Sequence, residues 1–309
     1  MRKILLASTA LVALTSVSAM AADVTISGSY DAKYSMIDDD GETTDQDSFA
    51  ATSDLNVNFS STTDSGLTMS LATGFSNGTS DDSVLTVSGD FGKLMIEDGG
   101  AAADDSDAVE SMDVDVDGYT NDEGSTGTAE YAGGFSATSS DSISYTLPTM
   151  ADGVTVAVAL NDGTDDAKTT AYGISYAGTS GDVGFKLVAA ASSADNGTHD
   201  TDKTHYGIQI TAGAITLGAA TNSQDKSIDN EDYSSSEIGI KYAASSSLTV
   251  AAMNRTATTG TAAEDYSMTA YGATYTIAPG LTTSVTASDV EVSTTDKDSR
   301  IVFALEASF

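Results

Sequence analysis

The stretch VTISGSYDAKYSM, residues 24–36, alternates two kinds of side chain along its whole length. Its even positions, from Val24 through Tyr30 to Met36, are apolar, aromatic or small, whereas its odd positions carry Ser, Thr, Asp31 and Lys33. Successive side chains of an extended chain point to opposite faces, so this period of two predicts a β-strand with one apolar face. The alternation recurs as far as the final SRIVFALEASF (299–309), which predicts an all-β protein.

The sequence predicts sixteen such strands, most of them about as long as the 9–11 residues that a tilted strand needs to cross a bilayer. They lie at about 24–37, 48–61, 66–77, 83–89, 92–97, 140–148, 153–162, 168–178, 182–192, 203–211, 214–223, 234–243, 247–257, 266–277, 281–292 and 299–309. Short connections follow the even-numbered strands. Longer polar ones such as NGTSDD (77–82) follow the odd-numbered strands, and the longest spans about 98–139. This layout is typical of an antiparallel transmembrane β-barrel.

Charged residues fall consistently on the polar phase of the predicted strands. The acidic ones are Asp54, Glu237 and Glu306, and the basic ones, which we take as candidates for a pore wall, are Lys33, Lys186, Lys241, Arg255 and Arg300. A soluble sandwich or propeller is the alternative, but sixteen strands closed into a barrel enclose a lumen too wide for these side chains to fill. An apolar phase facing lipid and a polar phase facing a water-filled lumen account for both patterns.

The chain begins with MRK, a 14-residue apolar run and the small residues SAMA. These features predict a secretory signal peptide cleaved after Ala21, and a buried N-terminal helix is the alternative. The domains are then the signal peptide, 1–21, and one barrel domain, 22–309.

Loss of Arg2 and Lys3 with the signal peptide changes the formal charge of the chain from -34 to -36. This charge disfavours nucleic acid as a partner and favours cations, although an acidic surface adapted to salt would look the same. The chain has no cysteine, which excludes a disulfide framework.

With these features together, the chain resembles the general-diffusion porins of Gram-negative outer membranes, in the sixteen-stranded, trimeric class. VTISGSYDAKYSM at the start, DFGKLMIED (90–98) before the longest loop and RIVFALEASF (300–309) at the end carry the resemblance, which covers the whole mature chain. It implies an integral outer-membrane homotrimer in contact with lipid and lipopolysaccharide, with both termini in the periplasm. It also implies that the terminal Phe309 is similar to the signal read during outer-membrane assembly.

The resemblance further implies that the long loop after strand five folds into the lumen and narrows the pore. The carboxylates expected at that constriction are Asp104, Asp105, Asp107 and Glu110. A negative constriction concentrates cations, so we expect a cation preference; the alternative is a solvated external loop. Porins of this class commonly carry an arginine-rich wall opposite the loop. Here the mature chain has only Arg255 and Arg300, so we expect a weaker transverse field.

The same loop contains DVDVDGYTNDE (113–123), whose opening matches the D-x-D-x-D-G start of a calcium loop. The twelfth position of the motif is Gly124 rather than Glu, and no amphipathic helices flank it, so it is not an EF-hand. The sequence nevertheless predicts a possible Ca²⁺ site, because so many adjacent carboxylates repel one another unless a cation bridges them. Its ligands would be Asp113, Asp115, Asp117 and Asp122 or Glu123. Some porins of this kind hold calcium in long loops; an acidic loop screened by diffuse salt is the alternative.

The two histidines, His199 and His205, do not define a catalytic site, because Ser and Asp are too abundant for their pairing with a histidine to be informative. We therefore expect no enzyme. The leading hypothesis is passive diffusion of small hydrophilic solutes and ions with a cation preference. The alternatives are a porin selective for one nutrient class and a non-channel, acidic, calcium-binding protein of the cell surface.

Overall fold

A computed structural model describes residues 23–39, 46–98, 141–162, 168–195, 200–227, 232–259, 265–292 and 296–309. Within these residues the chain is a closed barrel of sixteen antiparallel strands, which confirms the predicted fold class. The strands are β1 (Asp23–Asp39), β2 (Gln46–Thr62), β3 (Thr68–Ser76), β4 (Thr79–Gly89), β5 (Gly92–Asp98), β6 (Asp141–Thr146), β7 (Val154–Asp162), β8 (Lys168–Ser180), β9 (Val183–Asp195), β10 (Asp200–Ala212), β11 (Ile215–Lys226), β12 (Tyr233–Ala243), β13 (Leu248–Thr259), β14 (Tyr266–Ala278), β15 (Leu281–Val292) and β16 (Asp296–Ser308). In the described part of the chain, no helix is long and apolar enough to cross a membrane.

The first and last strands close the barrel. β16 pairs with β1 from Ser29 opposite Ser308 to Asp39 opposite Asp298. The final residue extends this ladder, because the Gly28 amide donates to the Phe309 carbonyl at 2.8 Å and the Phe309 amide donates back at 2.9 Å. Closure therefore satisfies the edge groups of both terminal strands, which an open sheet would leave unpaired.

The alternation in the sequence separates the two faces of the barrel. On β1, β2 and β16 the apolar series is exposed on the convex outer side, where Phe49 keeps 69% of its surface. Buried residues such as Ser35, Val302 and Thr286 belong to the opposite series, which faces the lumen. Outward side chains stay accessible because nothing in the barrel packs against them, as expected of a surface that contacts lipid.

One predicted long connection is wrong. NGTSDD was expected to be a polar loop between strands three and four, but β4 begins at Thr79 and the connection is only Asn77 and Gly78. Both residues have positive φ angles, 50° and 78°, as a type I′ hairpin turn requires. β4 is consequently 11 residues long, rather than the short strand predicted at 83–89, and the shortest strands are β5 and β6 with seven and six residues.

The other rim carries the short turns. They include Pro279–Gly280 between β14 and β15, where the positive φ of 75° at Gly280 suits glycine. The start of β1 and the end of β16 also lie at this short-turn rim. The connections predicted to be long leave from the opposite rim. Between β9 and β10 and between β11 and β12 the strands extend into the predicted loops, to Asp195, Asp200, Lys226 and Tyr233. The remaining parts of the long connections, apart from the Asn77–Gly78 turn, lie wholly or largely outside the described residues, and so does the predicted signal peptide, 1–21.

Candidate pore and its inner wall

The inner face gathers most of the basic residues of the mature chain. All five that the sequence predicted for the wall lie on it, on β1, β9, β12, β13 and β16. Three others on the same face were missed, Lys93, Lys203 and Lys226. The alternation could have found Lys203, which is two residues from His205 in the same strand. The basic residues are spread around the barrel rather than forming one ladder.

Arg255 is held by a carboxylate on the neighbouring strand. Its Nε and Nη2 atoms donate to Oε2 of Glu237 at 2.8 and 2.6 Å, and the two residues stand directly opposite each other in the β12–β13 register. Their side chains are only 6% and 4% exposed. A buried, doubly hydrogen-bonded pair is electrically neutral overall, so Arg255 contributes little net positive charge to the lumen.

Two further basic residues are tied to the wall near the closure of the barrel. Arg300 donates from Nη2 to the hydroxyl of Ser35 on the adjacent strand at 2.9 Å. The ammonium of Lys33 lies 3.0 Å from Oδ2 of Asp31, with side-chain exposures of 21% and 28%. This second pair is in contact with water and is correspondingly weaker than the Arg255 pair.

His205 belongs to a polar chain on the inner wall. It is 1% exposed, and its Nδ1 lies 2.6 Å from Oδ1 of Asn222. The amide of Asn222 then donates to the hydroxyl of Ser235 at 3.2 Å. The three residues connect β10, β11 and β12 in a hydrogen-bonded row, which gives the histidine a structural role.

Parts of the inner wall are apolar. Tyr233, Met253, Ala257, Met268 and Ala270 form a buried cluster on β12 to β14, around the Arg255–Glu237 pair. A second buried cluster on β7 to β9 consists of Ala157, Ala159, Ala171 and Ala190. The sequence predicted a water-filled lumen with a polar wall. The structure adds that parts of this wall consist of buried apolar side chains.

The predicted acidic constriction and calcium site lie outside the described residues. This applies to Asp104, Asp105, Asp107 and Glu110, and equally to Asp113, Asp115, Asp117, Asp122 and Glu123. Both predictions therefore remain predictions. Among the residues that the structure does describe, no group of three or more His, Asp or Glu side chains could hold a metal ion.

Phe309 stands on the outer face at the short-turn rim and keeps 82% of its surface exposed. Its ring lies across Gly28 on β1, where a Cβ atom would come within 2.9 Å of Phe309 Cε2. Glycine at this position leaves the outer surface flat enough for the terminal ring to lie against it. The terminal residue is thus part of the barrel seam rather than a loose end.

Comparison with known proteins gives a family and a fold. The model of the Gram-negative porin family matches residues 7–295. No curated protein has significant similarity to the chain. OmpT of Vibrio cholerae, folded in vitro and in a trimer form, has a TM-score of 0.67 at 14% identity, covering 94% of this chain and 100% of that one. A porin refined at 1.8 Å has a TM-score of 0.63 at 18% identity, covering 93% and 100%. A mutant of Rh. blastica porin has a TM-score of 0.63 at 14% identity, with the same coverage. At such identities these structures show a shared fold.

Proposed function

This chain belongs to the family of Gram-negative porins, and from that premise we propose that it conducts small hydrophilic solutes and ions by passive diffusion, with a preference for cations. The observation that carries the proposal is the division of the closed barrel into an outer face that exposes apolar side chains and an inner face that carries polar side chains and most of the basic residues. The apolar face suits lipid, and the charged face suits water. The family and the fold point to an outer-membrane channel rather than an enzyme.

The proposed cation preference rests on where the charges of the chain lie. Residues 99–140 contain ten Asp and Glu residues and no Lys or Arg. We propose that this segment narrows the lumen, with Asp104, Asp105, Asp107 and Glu110 at the constriction. The pairing of Arg255 with Glu237 and of Lys33 with Asp31 supports the preference, because it leaves less positive charge on the wall to oppose the carboxylates.

A calcium ion in the same segment remains part of the proposal. Its ligands would come from Asp113, Asp115, Asp117 and Asp122 or Glu123, because alternate carboxylates suit a hard cation. Calcium titration of the full chain by calorimetry tests this proposal. Asp115→Asn should weaken the binding if the site exists. If Ca²⁺ binding is unchanged by the substitution, or is as weak as sodium binding, the carboxylates are only screened by diffuse salt and hold no specific calcium ion.

Assembly and orientation follow the family in this proposal. The trimer form of the structurally similar OmpT supports a homotrimer. The barrel wall is lowest where its two shortest strands, β5 and β6, lie side by side, and a lowered wall is compatible with contact between subunits. We place the short-turn rim, with both ends of the mature barrel, in the periplasm. The cleaved signal peptide, 1–21, would direct export. The apolar outer face would contact membrane lipid, and the opposite rim would lie at the level of lipopolysaccharide.

Swelling of liposomes that contain the purified protein tests passive diffusion directly. Neutral sugars of increasing size should enter at rates that fall steadily with size and that do not saturate with concentration. A rate that saturates for one solute class would indicate a selective porin. An absence of swelling for every solute, together with solubility in the absence of detergent, would indicate a cell-surface protein without a channel.

A further inference from the structure

The inner wall is not equally covered around the barrel. Each of the thirteen strands from β5 through β16 to β1 has at least one buried side chain on its inner face, as with Glu97 on β5, His205 on β10 and Ser35 on β1. A sixteen-stranded barrel is too wide for its wall residues to bury one another across the lumen. Neighbours on adjacent strands can cover small inner side chains, as in the alanine cluster on β7 to β9, so it is the exposure of inner side chains that marks the wall a solute can touch.

This ring of buried side chains is interrupted at β2, β3 and β4. Every inner side chain described on these three strands is exposed or half-buried, and the one buried inner position, Gly74, has no side chain. The register places the three inner faces next to one another, with Asn58 opposite Ala72 and Ala72 opposite Val84. β2 to β4 thus form one continuous sector, which we call the open sector.

The chemistry of the open sector differs from that of the remaining wall. Its described inner side chains are hydroxyls, amides and small apolar groups, with one charge, Asp54. Asn56 and Asn58 follow Asp54 on the inner face of β2. Neighbouring members of this row are about 7 Å apart, which is the spacing of alternate residues in a strand. The hydroxyl of Ser29 donates to Oδ2 of Asp54 at 3.2 Å and holds the carboxylate in place.

We infer that the path of solutes and ions runs along the open sector and that Asp54 sets its charge preference on the wall side. Basic side chains of the wall lie on other strands, so a permeating cation would meet a carboxylate and a row of amides and hydroxyls. Neutral polyhydroxyl solutes suit the same row, because amides and hydroxyls both donate and accept hydrogen bonds. The inference rests on the proposed channel function and adds where the path lies and which residue discriminates.

Substituted cysteines locate the path, because the chain has no cysteine of its own. Ser48 on β2 and Ser192 on β9 both face the lumen within three residues of their strand ends at the long-loop rim, but Ser48 is exposed and Ser192 is buried. The Ser48→Cys variant should react with a charged, membrane-impermeant methanethiosulfonate about tenfold faster than Ser192→Cys, since accessibility controls the reaction of otherwise similar thiols. Mass spectrometry of the folded protein in liposomes measures both rates. Equal rates, or faster labelling of Ser192→Cys, would contradict the inference.

The charge of Asp54 is tested by the cation-to-anion permeability ratio in planar bilayers. A unit charge at about 6 Å in water changes the permeability of a monovalent cation by about threefold and that of an anion by about threefold in the opposite direction, so Asp54→Asn should lower the ratio about tenfold. Asp202→Asn makes the same chemical change on the exposed outer face of β10 and should leave the ratio unchanged.

The two experiments separate the inference from the function on which it rests. If the wild-type protein shows no current, the channel function fails, while labelling still reports where the lumen is open. If currents are present but Asp54→Asn leaves the ratio unchanged, Asp54 does not discriminate. If currents are present and the two cysteine variants react equally, the path does not follow the open sector.

Discussion

Replacing Arg255 by methionine removes the cationic half of a buried ion pair on the inner wall. Glu237 would then keep its carboxylate in a site where both side chains are at most 6% exposed and the neighbours are Met253, Met268 and Ala257. Removing one partner of such a pair costs about 3–5 kcal/mol, because the charge that remains is desolvated without compensation. The double variant Arg255→Met, Glu237→Leu should recover most of this loss, since apolar replacements of buried pairs are often neutral.

The assay is urea unfolding of the barrel in liposomes, followed by far-ultraviolet circular dichroism because the chain has no tryptophan. The matched control is Lys33→Met. It breaks a pair of the same charge type whose side chains are 21% and 28% exposed, and it should cost only about 0–1 kcal/mol. On this reasoning, burial of an ion pair determines how much the pair contributes to the free energy of unfolding. That dependence would be refuted if Arg255→Met lowered this free energy no more than Lys33→Met does.

Three further changes test the barrel itself. Gly280→Ala should destabilise it by at least about 1 kcal/mol in the same urea assay, because φ is +75° and the new Cβ would lie 2.4 Å from the Ser308 carbonyl oxygen; wild-type stability would contradict this. Phe303→Lys should cost about 2–4 kcal/mol because the side chain faces lipid, whereas Ala304→Lys on the inner face should cost much less; equal losses would mean that the faces are wrongly assigned. Deleting Phe309 should slow folding into liposomes, because the last pair of hydrogen bonds between β1 and the end of the chain is lost. The rate is measured from the appearance of the heat-modifiable electrophoretic band. An unchanged rate would mean that Phe309 has no role in closing the barrel.

Much of the fold was predictable, because strand alternation is a local property of the sequence. The segment 24–36 lies within β1, and the face on which each charge falls follows from its parity along the strand. Asn77–Gly78 was missed although Asn-Gly is a strong hairpin signal. The polar residues after it were interpreted as a loop, whereas they continue β4. Strand length was thus harder to predict than strand existence.

The inner wall was less predictable, because it depends on register and on what covers each strand. The sequence placed Glu237 and Arg255 on the same face, but their contact depends on the turn between β12 and β13, which pairs Ala243 with Thr249. A shift of two residues would keep the faces and separate the charges. Burial of His205 and exposure of Ser48 depend on which side chains surround each position in the folded barrel, and no periodic pattern encodes that.

The central claim is that this barrel is an open, cation-preferring channel, and the reversal potential of its current in a planar bilayer tests that claim most directly. With a salt gradient across the membrane, the account predicts steady ohmic currents whose reversal potential has the sign of cation selectivity. Chelation of calcium should leave the channel open and strengthen that preference, since it removes counter-ions from the carboxylates. A reversal potential of the opposite sign, or no conductance from correctly folded protein, would contradict the account.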